Sequence, residues 1–238
     1  MDTLKLKNTM NLIRKMIQYN FRIIFGGRFI WFLLAAFAFY AFVSIVAVLD
    51  GEMPDEEFVY GVLFFPAVLL IFYPMTFGIQ NDQDAGILEI LFGIPDYRYK
   101  VWLVRLVLIF VLVFLLLIGF AGVSSIFLAP VNWLEMAGQL MFPVFFLGSM
   151  AFMFSTIIKN GNGTAVVMVI LGIILLILSD ALERTMWFVF LNPFDVPGRM
   201  NEVVWEGIVL KNRLFLVIAA VVFLLYGLFN LQKREKFI

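Results

Sequence analysis

The sequence predicts an all-α, polytopic membrane protein with six transmembrane helices. Of its 238 residues 63% are hydrophobic and only 14% charged, more apolar matter than one soluble core of this length uses. The apolar residues fall in long runs at 29–49, 58–79, 101–128, 138–158, 164–179 and 214–231, most of them close to the ~20 residues that carry a helix across a hydrocarbon layer. The runs are continuous, without the alternation that the strands of a membrane barrel carry.

Taken in order, residues 8–24 (NTMNLIRKMIQYNFRII) place Met10, Ile13, Ile17, Phe21 and Ile24 at three- and four-residue steps, with Arg14, Lys15, Gln18 and Arg22 elsewhere around the helix. Such a helix lies on the membrane with its basic face toward anionic lipid headgroups; the plainer reading is a basic tail that only sets topology. Gly26 and Gly27 then offer a bend into the first span. That span carries Ala35, Ala38 and Ala41 at three-residue steps, a row that lets a neighbouring helix come close. An acidic loop (50–57) leads to the second span. After the polar segment 82–100 comes the third, whose only charge over 101–120 is Arg105, placed to snorkel to the headgroups.

A tight turn at Ala129-Pro130 and a glycine- and asparagine-built turn at 158–164 bound the fourth span. The fifth, 164–179, is the weakest on length and draws in Asn162 and Gly163 where the bilayer thins. Residues 180–213 hold two apolar patches, Met186 to Leu191 and Val203 to Leu210, broken by Asn192-Pro193 and Pro197-Gly198. They read either as two short outer-leaflet helices between spans five and six or as a loop packed on the outer ends of the bundle. One domain accounts for 1–238: a surface helix (1–28), a six-span bundle (29–231) and a tail (232–238).

With six spans both ends lie on one side. That side holds Lys5, Lys7, Arg14, Lys15, Arg22, Arg28, Arg98, Lys100, Arg105, Lys159, Lys233, Arg234 and Lys236, thirteen of the 17 basic residues, so both termini are predicted to be cytoplasmic. Arg184, Arg199, Lys211 and Arg213 fall on the other side. The first apolar run starts at residue 29 and reads as a retained span, not a cleaved signal. No basic block is long enough to follow a phosphate backbone, so no nucleic-acid partner is expected.

The chemistry of an enzyme is missing. There is no histidine and no cysteine, which removes the commonest base, metal ligand and thiol, and the carboxylates lie in loops instead of facing each other across the bundle. Asp180 and Glu183 read as a solvated helix end. GNGT (161–164) lacks the lysine and the strand of a phosphate-binding loop, so the chain itself is not expected to hydrolyse ATP and holds no cofactor. The 12 Met and 29 Phe residues suit packing and lipid contact.

The segment DQDAGILEILFGIPDYRYK (82–100) is the informative one. Read as a helix over 82–94, it puts Asp82 and Asp84 in the first turn, where negative charge meets the positive end of the helix dipole. Ile87, Ile90, Leu91 and Ile94 make an apolar stripe widened by Leu88 and Phe92, with Glu89 the only mid-helix charge, and Pro95 ends it. The plain reading is a surface helix that reverses the chain direction.

Here the chain resembles the membrane subunit of type-2 ATP-binding-cassette (ABC) exporters, whose short cytoplasmic helix between spans two and three docks into a groove of the ATPase. The family pattern is an acidic or charged lead-in, Gly-(Ile/Thr)-Leu-Glu-x-Leu, a Pro, then Arg or Lys, and it falls on Asp84, Gly86, Ile87, Leu88, Glu89, Leu91, Pro95 and Arg98. The lead-in NDQDAG (81–86) departs from the Glu-Arg pair of many relatives. The resemblance implies a permease in the cell inner (plasma) membrane that forms a substrate pathway as a homodimer or heterodimer. It also implies two ATPase partner subunits that hold ATP and Mg, a cytoplasmic coupling helix that transmits their motion, and surrounding membrane lipids. Glu89 is expected to meet a basic residue of the ATPase groove, and Ile87, Leu88 and Leu91 to bury apolar area there, so that Leu88→Asp weakens docking. The competing reading is a non-transporting membrane scaffold or assembly factor, which needs the spans but no ATPase; a lipid-modifying enzyme is disfavoured by the missing histidine and buried acid pair.

Overall fold

The apolar runs fold as helices, and no strand occurs among the described residues. The structure is a computed structural model and describes residues 28–51, 54–88, 91, 93, 97–198 and 200–232. The expected surface helix before Arg28, the tail from Lys233 onward, and Glu89 and Pro95 lie outside the described residues.

The elements are α1 (Phe29–Leu49), α2 (Glu56–Asp84), a π-helical stretch (Arg98–Leu103) continuing into α3 (Val104–Phe127), α4 (Trp133–Ile158), α5 (Gly161–Ile177), the four-residue α6 (Ser179–Leu182) and α7 (Glu202–Asn230). Among the described residues five helices are long and apolar enough to cross a membrane: α1, α2, Tyr99–Phe127, α4 and α7. The run expected to be the fifth span is shorter. Its helix, α5, has 17 residues, about 25 Å at a rise of about 1.5 Å per residue.

Polar side chains start four of the helices. Asp55, Asn132, Asn160 and Asn201 each accept a hydrogen bond from a backbone N–H in the first turn that follows, satisfying donors the helix itself leaves open.

α4 is the centre, packing on α2, α3, α5 and α7. Between helices in lipid the gain comes from close van der Waals contact, and glycine permits it. A Cβ on Gly148 of α4 would stand 2.7 Å from Ile71 Cγ1 of α2, and one on Gly227 of α7 would stand 2.7 Å from Phe152 Cε1 of α4. α1 buries Phe29, Ala36, Tyr40 and Ala47 and packs on α2, with the Phe32 ring against Tyr73 and Phe39 against Phe65, and the Tyr40 and Ser124 hydroxyls, 2.9 Å apart, tie it to α3. The row Ala35, Ala38 and Ala41 is therefore not the packing face; Ala35 and Ala38 are exposed. Trp31, Phe42, Ile126 and Leu225 belong to the broad apolar surface that the bundle presents outward.

Hydrogen bonds between distant residues define two ends. At one, the Arg28 N–H donates to the Tyr73 hydroxyl (3.1 Å), the Gly161 N–H to Gln80 Oε1 (2.5 Å), Asn230 Nδ2 to the Thr156 carbonyl (2.7 Å), and the Tyr97 hydroxyl to the Leu231 carbonyl. Residues 28 and 231 thus lie at the same end, together with the α2–α3 connection. At the other, Asn192 Nδ2 donates to the Glu57 carbonyl (3.0 Å) and Arg213 Nε to Gln139 Oε1 (2.9 Å).

The long connection between α5 and α7 is a loop packed on the bundle, not a pair of outer-leaflet helices. Val203 to Leu210 is the start of the 29-residue α7, capped by Asn201. Met186 to Leu191 is a run of turns, because side chains of the bundle take up its backbone carbonyls: Asn212 Nδ2 binds those of Met186 (3.0 Å) and Phe188 (2.8 Å), and the Tyr60 hydroxyl (3.3 Å) and Arg213 Nη2 (3.4 Å) bind that of Leu191. Irregular backbone that is shielded from water is stable only when its polar groups are satisfied in this way.

Candidate functional site

The α2–α3 connection begins with a helix stop that the sequence reading places elsewhere. α2 runs through Asp84, and Gly86 then takes a left-handed conformation (φ 68°). The Ile87 N–H donates to the Asp82 carbonyl (3.1 Å) and the Gly86 N–H to that of Gln83 (2.9 Å), the paired bonds of a Schellman cap. Asp82 and Asp84 therefore close the second long helix instead of opening a new one. At that end a carboxylate faces the negative pole of the helix dipole and needs compensation.

Asp82 finds it in Arg105. Both are buried, and Nη1 of the arginine lies 2.5 Å from Oδ2 of the aspartate. The guanidinium also stands over the Trp102 ring, 4.8 Å from its centroid. The expectation that Arg105 snorkels to the headgroups is thus replaced by an ion pair that joins α2 to α3. Low dielectric strengthens the attraction, and an unpaired charge there is costly.

Beyond Gly86 the Leu91 N–H bonds to the Ile87 carbonyl (3.0 Å), one helical turn. Leu88 and Leu91 are both buried within the chain, and Leu88 belongs to its main core. The apolar area expected to be covered by a partner at these two positions is covered by the bundle itself. Ile87 is half-buried, Asp84, Gly86, Gly93, Tyr99 and Lys100 are exposed, and Arg98 opens the π-helical stretch. Tyr97 is buried, with its hydroxyl on the Leu231 carbonyl at the end of α7. The connection therefore brings Asp84, Gly86, Ile87, Leu88 and Leu91 into one short stretch anchored on α2, α3 and α7. Sequence reading missed Asp82, Tyr97, Trp102 and Arg105 as anchors. The available signal was a lone arginine in an apolar run together with an acid at the end of the run before it.

At the opposite end the loop 183–198 borders two adjoining hollows, both partly open to the outside. One, of about 820 Å³, is lined by polar and charged residues of the loop, among them Glu183, Arg184 and Asp195, with Trp205. The other, of about 690 Å³, lies between α2, α4 and α5 and is lined almost wholly by apolar side chains, including Phe64, Phe65, Leu147, Met168 and Ile173. Phe188, Phe190 and Asn192 line both.

Compared with protein families, with curated proteins and with solved structures, the chain matches none.

Proposed function

We propose that the chain is the membrane permease subunit of an ATP-binding-cassette exporter of the type-2 architecture, acting as a dimer with two separate ATPase subunits. In this reading α5 is a sixth span in a locally thinned bilayer, the end with residues 28, 97 and 231 is cytoplasmic, and the membrane is the cell inner membrane. ATP and Mg belong to the partner. The resemblance of residues 84–98 to the coupling segment motivates the proposal.

The observation that supports it best is the anchoring of the α2–α3 connection. Gly86 stops α2 sharply, Asp82 and Arg105 join α2 to α3, and the Tyr97 hydroxyl joins the connection to the end of α7. A push on this surface acts on three long helices at once, whereas a loosely held loop would absorb it. Asp84, Gly86, Ile87, Tyr99 and Lys100 form the accessible part of the docking surface, with Glu89, Pro95 and Arg98 assigned to it by the motif. Leu88 and Leu91 hold the segment to the bundle, so Leu88→Asp is expected to destabilise the chain before it affects docking.

The test is co-expression with a candidate ATPase, such as one that a neighbouring gene is found to encode. The wild-type chain is expected to co-purify with it, and Asp84→Arg is expected to lower recovery at least tenfold while the melting temperature in detergent stays unchanged. If the wild-type chain carries no ATP-hydrolysing subunit and its membranes show no ATP-driven movement of solute, the scaffold reading replaces this one.

A further inference from the structure

We infer that the two adjoining cavities at the 183–198 end form one site for a zwitterionic phospholipid, its hydrocarbon between α2, α4 and α5 and its headgroup in the polar chamber of the loop.

The hollow between α2, α4 and α5 is a partly open groove whose lining suits hydrocarbon. Its volume, about 690 Å³, lies within the usual range for small-molecule sites. Its few polar side chains are already engaged within the chain. The Tyr60 hydroxyl donates to the Leu191 carbonyl, the Ser179 hydroxyl to the Leu176 carbonyl (2.7 Å), and Asn192 uses Nδ2 on the Glu57 carbonyl and Oδ1 on the Phe194 N–H (3.1 Å). A polar solute entering here would lose its water and find few replacements, so it is excluded. Two glycines keep the space open. A Cβ on Gly61 of α2 or on Gly172 of α5 would meet no atom within 4 Å, unlike the close-packed Gly148.

The outer cavity has the opposite character. Glu183, Arg184 and Asp195 bring charges of both signs around a chamber of about 820 Å³. A headgroup carrying a phosphate and an ammonium matches that set: the phosphate suits the arginine, and the ammonium suits the two carboxylates. An anionic headgroup with no cation would leave two acids facing it. Phe188, Phe190 and Asn192 line both chambers, so the two lie side by side, within the reach of one amphiphile draped over these residues. An amphiphile has that shape, apolar at membrane depth and charged beyond it. The site does not depend on ATPase docking, which takes place at the other end of the bundle.

The test uses native mass spectrometry of the chain purified from nanodiscs containing equal phosphatidylethanolamine and phosphatidylglycerol. The expected result is one retained phosphatidylethanolamine per chain, in at least fivefold excess over phosphatidylglycerol. Gly172→Phe and, separately, Gly61→Phe should lower retention at least tenfold without lowering the melting temperature, and Arg184→Glu should remove the headgroup preference while leaving an acyl chain bound. Leu115→Phe on the outward surface serves as control and should change nothing. Equal retention of both lipids by the wild type, or unchanged retention in both glycine variants, would identify the lipid as ordinary boundary lipid and overturn the inference. A second copy of the chain is the other possible occupant. Efficient disulfide formation between copies of Gly172→Cys in the membrane would likewise overturn the inference, whereas its absence with lipid retained is the outcome expected.

Discussion

Arg105 and Arg213 are buried to nearly the same degree, 4% and 5% exposed, yet they sit at opposite ends of the bundle and are neutralised in different ways. Arg105 has a carboxylate, Asp82, supplied by the neighbouring long helix. Arg213 has neutral oxygens: Gln139 Oε1 at 2.9 Å, Asn212 Oδ1 at 2.8 Å and the Leu191 carbonyl at 3.4 Å, with its guanidinium carbon 5.4 Å from the Phe142 ring centroid. A charge pair fixes two helices to each other, since neither member is stable there without its partner. A cation held by dipoles organises the loop around itself, one modest hydrogen bond at a time. The first end is built as a junction and the second as a cover, the arrangement that the proposed docking surface and the proposed lipid site would need.

The largest effect should come from breaking the junction on one side only. Arg105→Met strands the Asp82 carboxylate and is expected to cost about 3–5 kcal/mol, read as a loss of melting temperature in detergent. Adding Asp82→Asn to the same chain should restore most of that loss, because the buried charge is gone. Equal instability of the single and double variants would mean that the pair does not act as a unit.

Arg213→Met should cost less, about 1–3 kcal/mol, because it leaves only neutral acceptors behind. Its clearer signature is local: faster limited proteolysis between residues 183 and 198, at the loop whose Leu191 carbonyl has lost a donor. A penalty as large as that of Arg105→Met would erase the distinction between the ends. The smallest effect is expected at Gly86. Its left-handed backbone disfavours any side chain, yet an added Cβ meets nothing within 4 Å, so Gly86→Ala should cost about 1 kcal/mol of backbone strain and no packing. A loss well beyond that, measured by the same thermal unfolding, would place Gly86 in contacts absent from this structure.

The helical framework was legible because lipid imposes a simple rule: a span must be a long apolar run, and the runs beginning at 29, 58, 101, 138 and 214 are all found as long helices. The turn at Ala129-Pro130 was legible from its turn chemistry, with Asn132 capping α4, whereas the turn expected over 158–164 shrinks to Lys159 and Asn160, because Asn160 caps α5 and Gly161 already opens that helix. Charge was harder to read. Asp82 and Arg105 stand 23 residues apart, and only the antiparallel return of α3 along α2 brings them together, so each was assigned to the nearer explanation: a helix start for the acid and snorkelling for the base. Leu88 and Leu91 lie on an apolar stripe whose period is visible, but periodicity does not say whether the stripe meets its own bundle or another protein. The loop 183–198 was ambiguous for a related reason: its order depends on Asn212 and Arg213, which lie beyond it in the sequence and on another helix.

The absence of cysteine makes the central claim directly testable. Single cysteines placed at the exposed positions Asp84 and Glu56, at opposite ends of α2, would carry a photo-crosslinker in membranes that also contain the candidate ATPase of the proposed assembly. Attachment at Asp84 is predicted to give an adduct with the ATPase whose yield changes with bound nucleotide, and attachment at Glu56 to give none. An actively transporting assembly in which Asp84 yields no such adduct, or in which Glu56 yields it equally, would contradict the account.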